Sequence, residues 1–269
     1  MNIYQLEEKA DIFRKKIMEI GYLTQSGHLS SALSCVEVMV ALYYGGFITL
    51  DVQNYNNAER SRFVLSKGHA CIIQYLILNN LGLIDEEELM KFCKPGGKLG
   101  AHPDCLKVPG IEATTGALGH GLAIALGYAL GAKYKGQKYH TYTILGDGEC
   151  EEGSVWEAAL CAGHYALDNL TVIVDYNKLQ ASDYTCNITT LDSLTDKWSA
   201  FGFDAYEING NNMTEVVNVL QKPMCGKPKA VIAHTVKGKG VAMIENQNGW
   251  HGRKPNEKEW NLISSQMGV

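Results

Sequence analysis

Arginine is scarce in this sequence: of 24 basic residues only Arg14, Arg60, Arg62 and Arg253 are arginines, against 29 acidic residues and a net charge of -5. Reading a phosphodiester backbone needs a basic stripe, and none is present, so no nucleic-acid partner is expected. Long hydrophobic runs are also missing. The main apolar stretch, Leu122–Ala132, is interrupted by glycines and falls short of the ~20 residues that cross a bilayer, so no membrane span is expected. No Ser/Pro-rich linker, low-complexity tract or internal repeat marks a domain boundary. Met1–Gln25 lacks the apolar core and small-residue cleavage site of a secretory signal and instead carries Glu7, Glu8, Asp11, Arg14, Lys15 and Lys16 at helical spacing. It reads as mature, cytoplasmic sequence. Paired cysteines are the last absence: Cys35, Cys71, Cys93, Cys105, Cys150, Cys161, Cys186 and Cys225 form no CxxC. That spacing opposes a disulfide framework or a zinc site and predicts buried thiols in a reducing compartment.

What remains is an ordinary globular composition of 269 residues, 46% hydrophobic and 20% charged, read here as a single domain over residues 1–269. Helical periodicity covers about Tyr4–Ile20, Ser34–Tyr44, Ala70–Leu81, Leu118–Lys135 and Ser154–Ala166. Strand-like runs stand at His140–Leu145, Leu170–Asp175, near Phe203–Ile208 and at Lys229–His234. Strands alternating with helices imply βαβ units. Leu170–Asp175 and Lys229–His234 are nearly continuous apolar runs, as parallel strands covered on both faces require. The expected fold is therefore α/β, a mostly parallel sheet sandwiched by helices. Ligands of such sheets sit at the carboxyl ends of the strands.

Chemistry concentrates at two such ends. Gly146-Asp147-Gly148-Glu149 follows one strand, and Tyr176-Asn177-Lys178-Leu179 follows the next. Asp147 offers a carboxylate, Asn177 an amide oxygen and Leu179 a main-chain carbonyl, a hard-oxygen set suited to magnesium that also carries a diphosphate. Glycines allow close approach to a phosphate, and a helix opening near Ser154 adds a favourable dipole. A plain βα turn capped by Asp and Gly would look the same from Gly146–Gly148 alone; Asn177 at the end of the next strand strengthens the metal-diphosphate reading.

This pairing resembles the thiamine diphosphate motif, and Gly146–Gln180 is similar to its transketolase form. Six further stretches follow the order of that family: Ser26-Gly27-His28, Arg62 to Ala70 (RFVLSKGHA), Gly100-Ala101-His102-Pro103, Thr114 to Gly119 (TTGALG), Thr235 to Gly240 (TVKGKG) and Trp250-His251-Gly252. The resemblance spans nearly the whole chain and implies the amino-terminal, diphosphate-binding domain of a transketolase. It implies magnesium on Asp147, Asn177 and the Leu179 carbonyl, and diphosphate contacts from Gly148, Lys237, His69 and His251. It implies main chain at Gly116, Ala117 and Leu118 beside the aminopyrimidine, and a further contact at Ser31. His28, His69, His102 and His251 match the histidines around the reacting carbon. Leu29 departs from the proline frequent after the first histidine and His120 from a frequent glutamine, which leaves the sugar substrate open.

Judged without the family, His140, His164 and His234 suit structural or surface roles. His28, His69, His102 and His251 fall in loop-like positions, where binding residues gather. Glu149 and Glu151 are explained as favourable charge at a helix amino-terminus, whereas Glu152 and Glu157 match family positions in a carboxylate network between protomers. The family also uses a glutamate from a pyrimidine-binding domain, and only eighteen residues follow His251. A separate pyrimidine-domain chain in an α2β2 heterotetramer is therefore expected, the assembly transferring a ketol unit between ketose and aldose, free or phosphorylated. A chain like that of deoxyxylulose-phosphate synthase or the α chain of a 2-oxo acid dehydrogenase, and a non-catalytic scaffold, remain as alternatives.

Overall fold

The computed structural model describes all residues 1–269. Five parallel strands, β1 (Arg62–Leu65), β2 (Thr141–Gly146), β3 (Leu170–Tyr176), β4 (Asp204–Asn209) and β5 (Lys229–His234), form one sheet in the order β1-β2-β3-β5-β4. The expected α/β class and parallel sheet are present. Four helices lead into or follow β1: α1 (Ile3–Thr24), α2 (Leu29–Ser34), α3 (Val36–Tyr44) and α4 (Cys71–Asn80). A short α5 (Glu86–Met90) precedes α6 (Gly121–Lys135), and α7 (Gly153–His164) joins β2 to β3. Short α8 (Thr185–Ile188), then α9 (Leu194–Ala200), α10 (Met213–Gln221) and the last helix α11 (Glu257–Met267) complete the chain.

The sheet is apolar on both faces, and alternate residues of one strand enter different cores. Ile173, Val231 and Ala233 face a core built with α1 to α4 and α10, while Val172, Val174, Ala230 and Ile232 face one built with α6, α7 and α9. That is why β3 and β5 read as unbroken apolar runs instead of alternating ones. α1 is fixed at its start by a capping box, Asn2 with Gln5.

Several elements depart from the sequence reading. β1 is a strand of four residues that begins with a charged Arg62 and offers no periodicity to detect. The helix expected over Ser34–Tyr44 opens at Val36, because the backbone leaves helical geometry at Cys35, and a short helix that the sequence reading did not place, Leu29–Ser34, precedes it. The helix expected from Leu118 opens only at Gly121, since Gly119 takes the left-handed φ of 87°. The cysteines are all free, but only Cys35, Cys71 and Cys150 are buried; Cys93, Cys105, Cys186 and Cys225 are exposed, contrary to the expectation of buried thiols throughout. No helix is long and apolar enough to cross a membrane.

Candidate active site

Because every strand runs the same way, the loops leaving their carboxyl ends meet along one edge of the sheet. Gly146 pairs with Asp175 across β2 and β3, so Asp147 leaves its strand beside Asn177. Lys178 adopts the left-handed backbone, φ 64°, and its amide turns back to donate to Asp147 Oδ2 at 2.7 Å. Thr185 Oγ1 donates to the same oxygen at 3.1 Å, and the Gly148 amide donates to Oδ1 at 2.9 Å. Burial, together with the nearby Asp175, pushes the Asp147 carboxyl above the usual carboxylate range. A bound cation would reverse both pressures.

Asn177 is held from both ends of its amide. Its Oδ1 accepts from Leu179 N at 3.1 Å and its Nδ2 donates to Asp175 Oδ2 at 3.3 Å. Asp175 is itself buried, ion-paired with Lys67 and accepting from Ser34 Oγ at 2.5 Å and from Thr235 Oγ1. Burial alone would lower the Lys67 ammonium; the Asp175 charge overrides it and holds the group above the ordinary lysine value. Lys67 Nζ also donates to Ser31 O at 3.0 Å, which ties α2 to the centre of the sheet.

A cavity of about 390 Å³ lies above this network, walled by His28, Ser31, His69, His102, Gly116, Leu118, Asp147, Gly148, Asn177, Leu179, Lys237 and His251. Of the residues expected at a site, only Ala117 is not part of the wall. A larger cavity of about 740 Å³ opens beyond Asn177 and Lys178 but contains none of the four expected histidines; all four line the smaller one. Ring centroids of His28 lie 5.4 Å from His69, 5.2 Å from His251 and 6.4 Å from His102, and His69 is 5.6 Å from His251. Burial first, then neighbouring cations, holds His28 below and His69 well below the usual imidazole value and lowers His251 to about 4. These three rings are neutral near pH 7, each with one donor and one acceptor nitrogen. His28 Nδ1 is buried with no hydrogen-bond partner. Gly116 passes against His102 at φ 141°, and a Cβ there would stand 3.0 Å from the ring.

Two local expectations change. Gly148 is pressed against Gln180, whose Cδ would lie 2.8 Å from an added Cβ, whereas Gly146 has no neighbour closer than 4.0 Å. A 3-10 turn, Gly148–Glu151, separates the Gly146–Gly148 corner from α7, which opens at Gly153. Glu149 is not a solvated charge at a helix end. It is buried, and its carboxylate accepts from Gly119 N at 2.9 Å, Gly146 N at 3.1 Å and Ser66 Oγ, pinning the end of β2 to the loops at Ser66 and Gly119. Lys67, Glu149, Glu151, Glu152, Gln180 and Ala181 also wall the cavity, and sequence reasoning gives none of them a place there. For Lys67 a signal exists, a lysine two residues past the apolar run Phe63–Leu65 and directly ahead of Gly68. His140 lies at the opposite end of β2, 2.9 Å from Thr171 Oγ1, His164 is exposed at the end of α7, and His234 is 3.5 Å from Glu207.

The donor set fits the expected cofactor. No three His, Cys, Asp or Glu side chains group as metal ligands; this corner instead offers one carboxylate, one amide oxygen and one carbonyl, which suit magnesium with diphosphate oxygens filling the remaining positions. Lys237 projects its ammonium into the same cavity, lowered to about 8 by burial and by Lys67. The orphaned His28 Nδ1 is a polar atom still in need of a partner.

Residues 7–269 match the family model described as the transketolase, thiamine diphosphate-binding domain. The chain is 41% identical to one of the subunits of the apulose-4-phosphate transketolase of Actinobacillus succinogenes, covering 98% of this chain and 96% of that one. The same-named chain of Phocaeicola vulgatus is 39% identical, covering 97% and 92%. Transketolase from Campylobacter jejuni superposes with a TM-score of 0.92 at 29% identity, over 100% of this chain and 43% of that longer one. This chain belongs to the transketolase family, as the thiamine diphosphate-binding, amino-terminal type of chain found in split transketolases.

Proposed function

We propose that residues 1–269 act as one diphosphate-binding domain and that the chain, as the amino-terminal subunit of a split transketolase, transfers a two-carbon ketol unit from a ketose to an aldose. The observation that carries this reading is the joining, in one cavity, of the Asp147, Asn177 and Leu179 oxygens with four histidine rings. In this reading Asp147, Asn177 and the Leu179 carbonyl hold magnesium. Lys237, Gly148, His69 and His251 meet the diphosphate, and Ser31 with the main chain of Gly116, Ala117 and Leu118 flanks the rest of the cofactor. When bound, thiamine diphosphate supplies the stabilisation of the carbanion that carbon–carbon cleavage creates.

The histidines do the remaining work. As neutral imidazoles His28, His69 and His251 can take a proton from the donor's hydroxyl and return one to the acceptor's carbonyl oxygen, with His102 completing the ring. Asp175 and Lys67 keep the Asn177 amide turned for ligation. The cavity walls contain no arginine, so bidentate contacts to a sugar phosphate come from a second, pyrimidine-domain chain in an α2β2 assembly, the chain that by the family resemblance also brings the glutamate acting on the cofactor. Relatives named as subunits of apulose-4-phosphate transketolases support both the partner and a phosphorylated sugar as substrate. Eight free thiols support a cytoplasmic location.

The test is reconstitution. The purified chain alone should show no ketol transfer from a ketose phosphate donor, and adding the pyrimidine-domain chain with magnesium and thiamine diphosphate should restore it. Transfer by this chain alone, or none with the partner present, defeats the proposal.

A further inference from the structure

Lys237 reaches the cavity from the loop after β5 and is 1% exposed. Its Nζ donates to Leu179 O at 2.8 Å and Gln180 O at 2.9 Å and lies 3.1 Å from His251 Nδ1. An ammonium has three protons, and these three acceptors use all of them. One of the three, the Leu179 carbonyl, is also a proposed metal ligand. Magnesium sits about 2.0–2.1 Å from its oxygens, so a metal sharing this carbonyl would come within about 5 Å of the ammonium. Lys67 adds another buried cation on the same wall, and like charges repel strongly where water is excluded.

We propose that Lys237 and the metal compete for the Leu179 carbonyl, so that metal binds tightly only when a diphosphate draws the ammonium away. This rests on the metal assignment made above and adds an order to it. Metal alone is resisted by a cation already satisfied in the site. A diphosphate offers that cation a charged partner inside the same cavity, frees the carbonyl and supplies metal ligands of its own. Metal and diphosphate therefore enter as a coupled pair. The side chain that would hold the cofactor also screens out a bare divalent ion.

The competition is measured by titrating Mn2+ alone into the full-length chain and following free Mn2+ by electron paramagnetic resonance. Lys237→Met, which keeps the volume and removes the charge, should bind Mn2+ about tenfold more tightly than the unmodified chain. Inorganic pyrophosphate should tighten Mn2+ binding more in the unmodified chain than in the variant. Should Lys237→Met fail to fold, as its melting curve would reveal, Lys237→Gln carries the same comparison with a neutral amide. Equal or weaker Mn2+ binding by the folded variant overturns the competition. An Asn177→Ala chain separates the two readings: loss of Mn2+ binding there, with no gain in Lys237→Met, defeats the competition and leaves the metal site standing. Mn2+ binding that survives Asn177→Ala places the metal elsewhere and defeats both.

Discussion

The Asn177 side-chain amide donates to the carboxylate of Asp175, two residues earlier, at 3.3 Å. Asp175 is the last fully buried residue of β3 and the counter-ion of Lys67. The aim of a proposed metal ligand is thus set by a charge pair inside the protein.

Breaking that pair from one side leaves a buried charge without a partner. Asp175→Ala should cost about 3–5 kcal/mol of folding stability, read from urea unfolding. Lys67→Met combined with Asp175→Asn should recover most of it, because no charge is then left stranded. A double variant as unstable as the single one would refute this account.

Thr185 Oγ1 donates to Asp147 Oδ2 at 3.1 Å while contributing no ligand of its own. Thr185→Val should therefore weaken metal binding in the presence of thiamine diphosphate by about 10–100-fold, measured calorimetrically, with the melting temperature of the unliganded chain little changed. Unaltered affinity would mean that the orientation of Asp147 does not depend on this hydroxyl.

Glu149 receives two main-chain amides and a hydroxyl in a buried position. Glu149→Ala orphans those donors and should cost about 3 kcal/mol. The Gly119 and Gly146 amides should show the largest increase in hydrogen exchange, a local signature that general destabilisation would not give.

His251 and His140 are both lowered to about 4, chiefly by burial. Between the ordinary imidazole value of ~6.5 and the lowered one, the unfolded chain binds more protons than the folded one, so each histidine makes stability fall as pH falls through that window. The raised carboxyls of Asp147 and Glu149 act in the opposite direction. The histidine share is isolated by comparison: the loss of urea midpoint from pH 7 to pH 5 should be smaller in His140→Gln than in the unmodified chain.

Thiol labelling checks the packing cheaply. Cys93, Cys105, Cys186 and Cys225 are exposed and should react quickly in the native chain, whereas Cys35, Cys71 and Cys150 should react only on unfolding. Labelling of Cys35 at the rate of Cys105 would contradict the described core.

The parts of the fold legible in the sequence are those whose environment is uniform along the chain. β3 and β5 are covered on both faces, so every residue carries the signal; β1 has four residues and no such redundancy. Asp147 and Asn177 are legible as a pair because adjacent parallel strands deliver consecutive turns to one place. Lys67 and Asp175 are not, since they lie 108 positions apart and their meaning exists only in contact. Glu149 is hidden for a related reason. A glutamate beside a helix is ordinarily solvated, and nothing local reveals that Ser66, Gly119 and Gly146 converge on it.

The rings of His28 and His251 stand 5.2 Å apart, yet 223 positions separate them along the chain, 251 less 28. Closing so long a loop is entropically slow, and contacts of this kind set the pace of folding. The cavity therefore cannot close during synthesis until His251 has left the ribosome. A cofactor that binds only the finished cavity stabilises the closed fold alone, so its capture serves as a read-out that the segments carrying His28 and His251 have met.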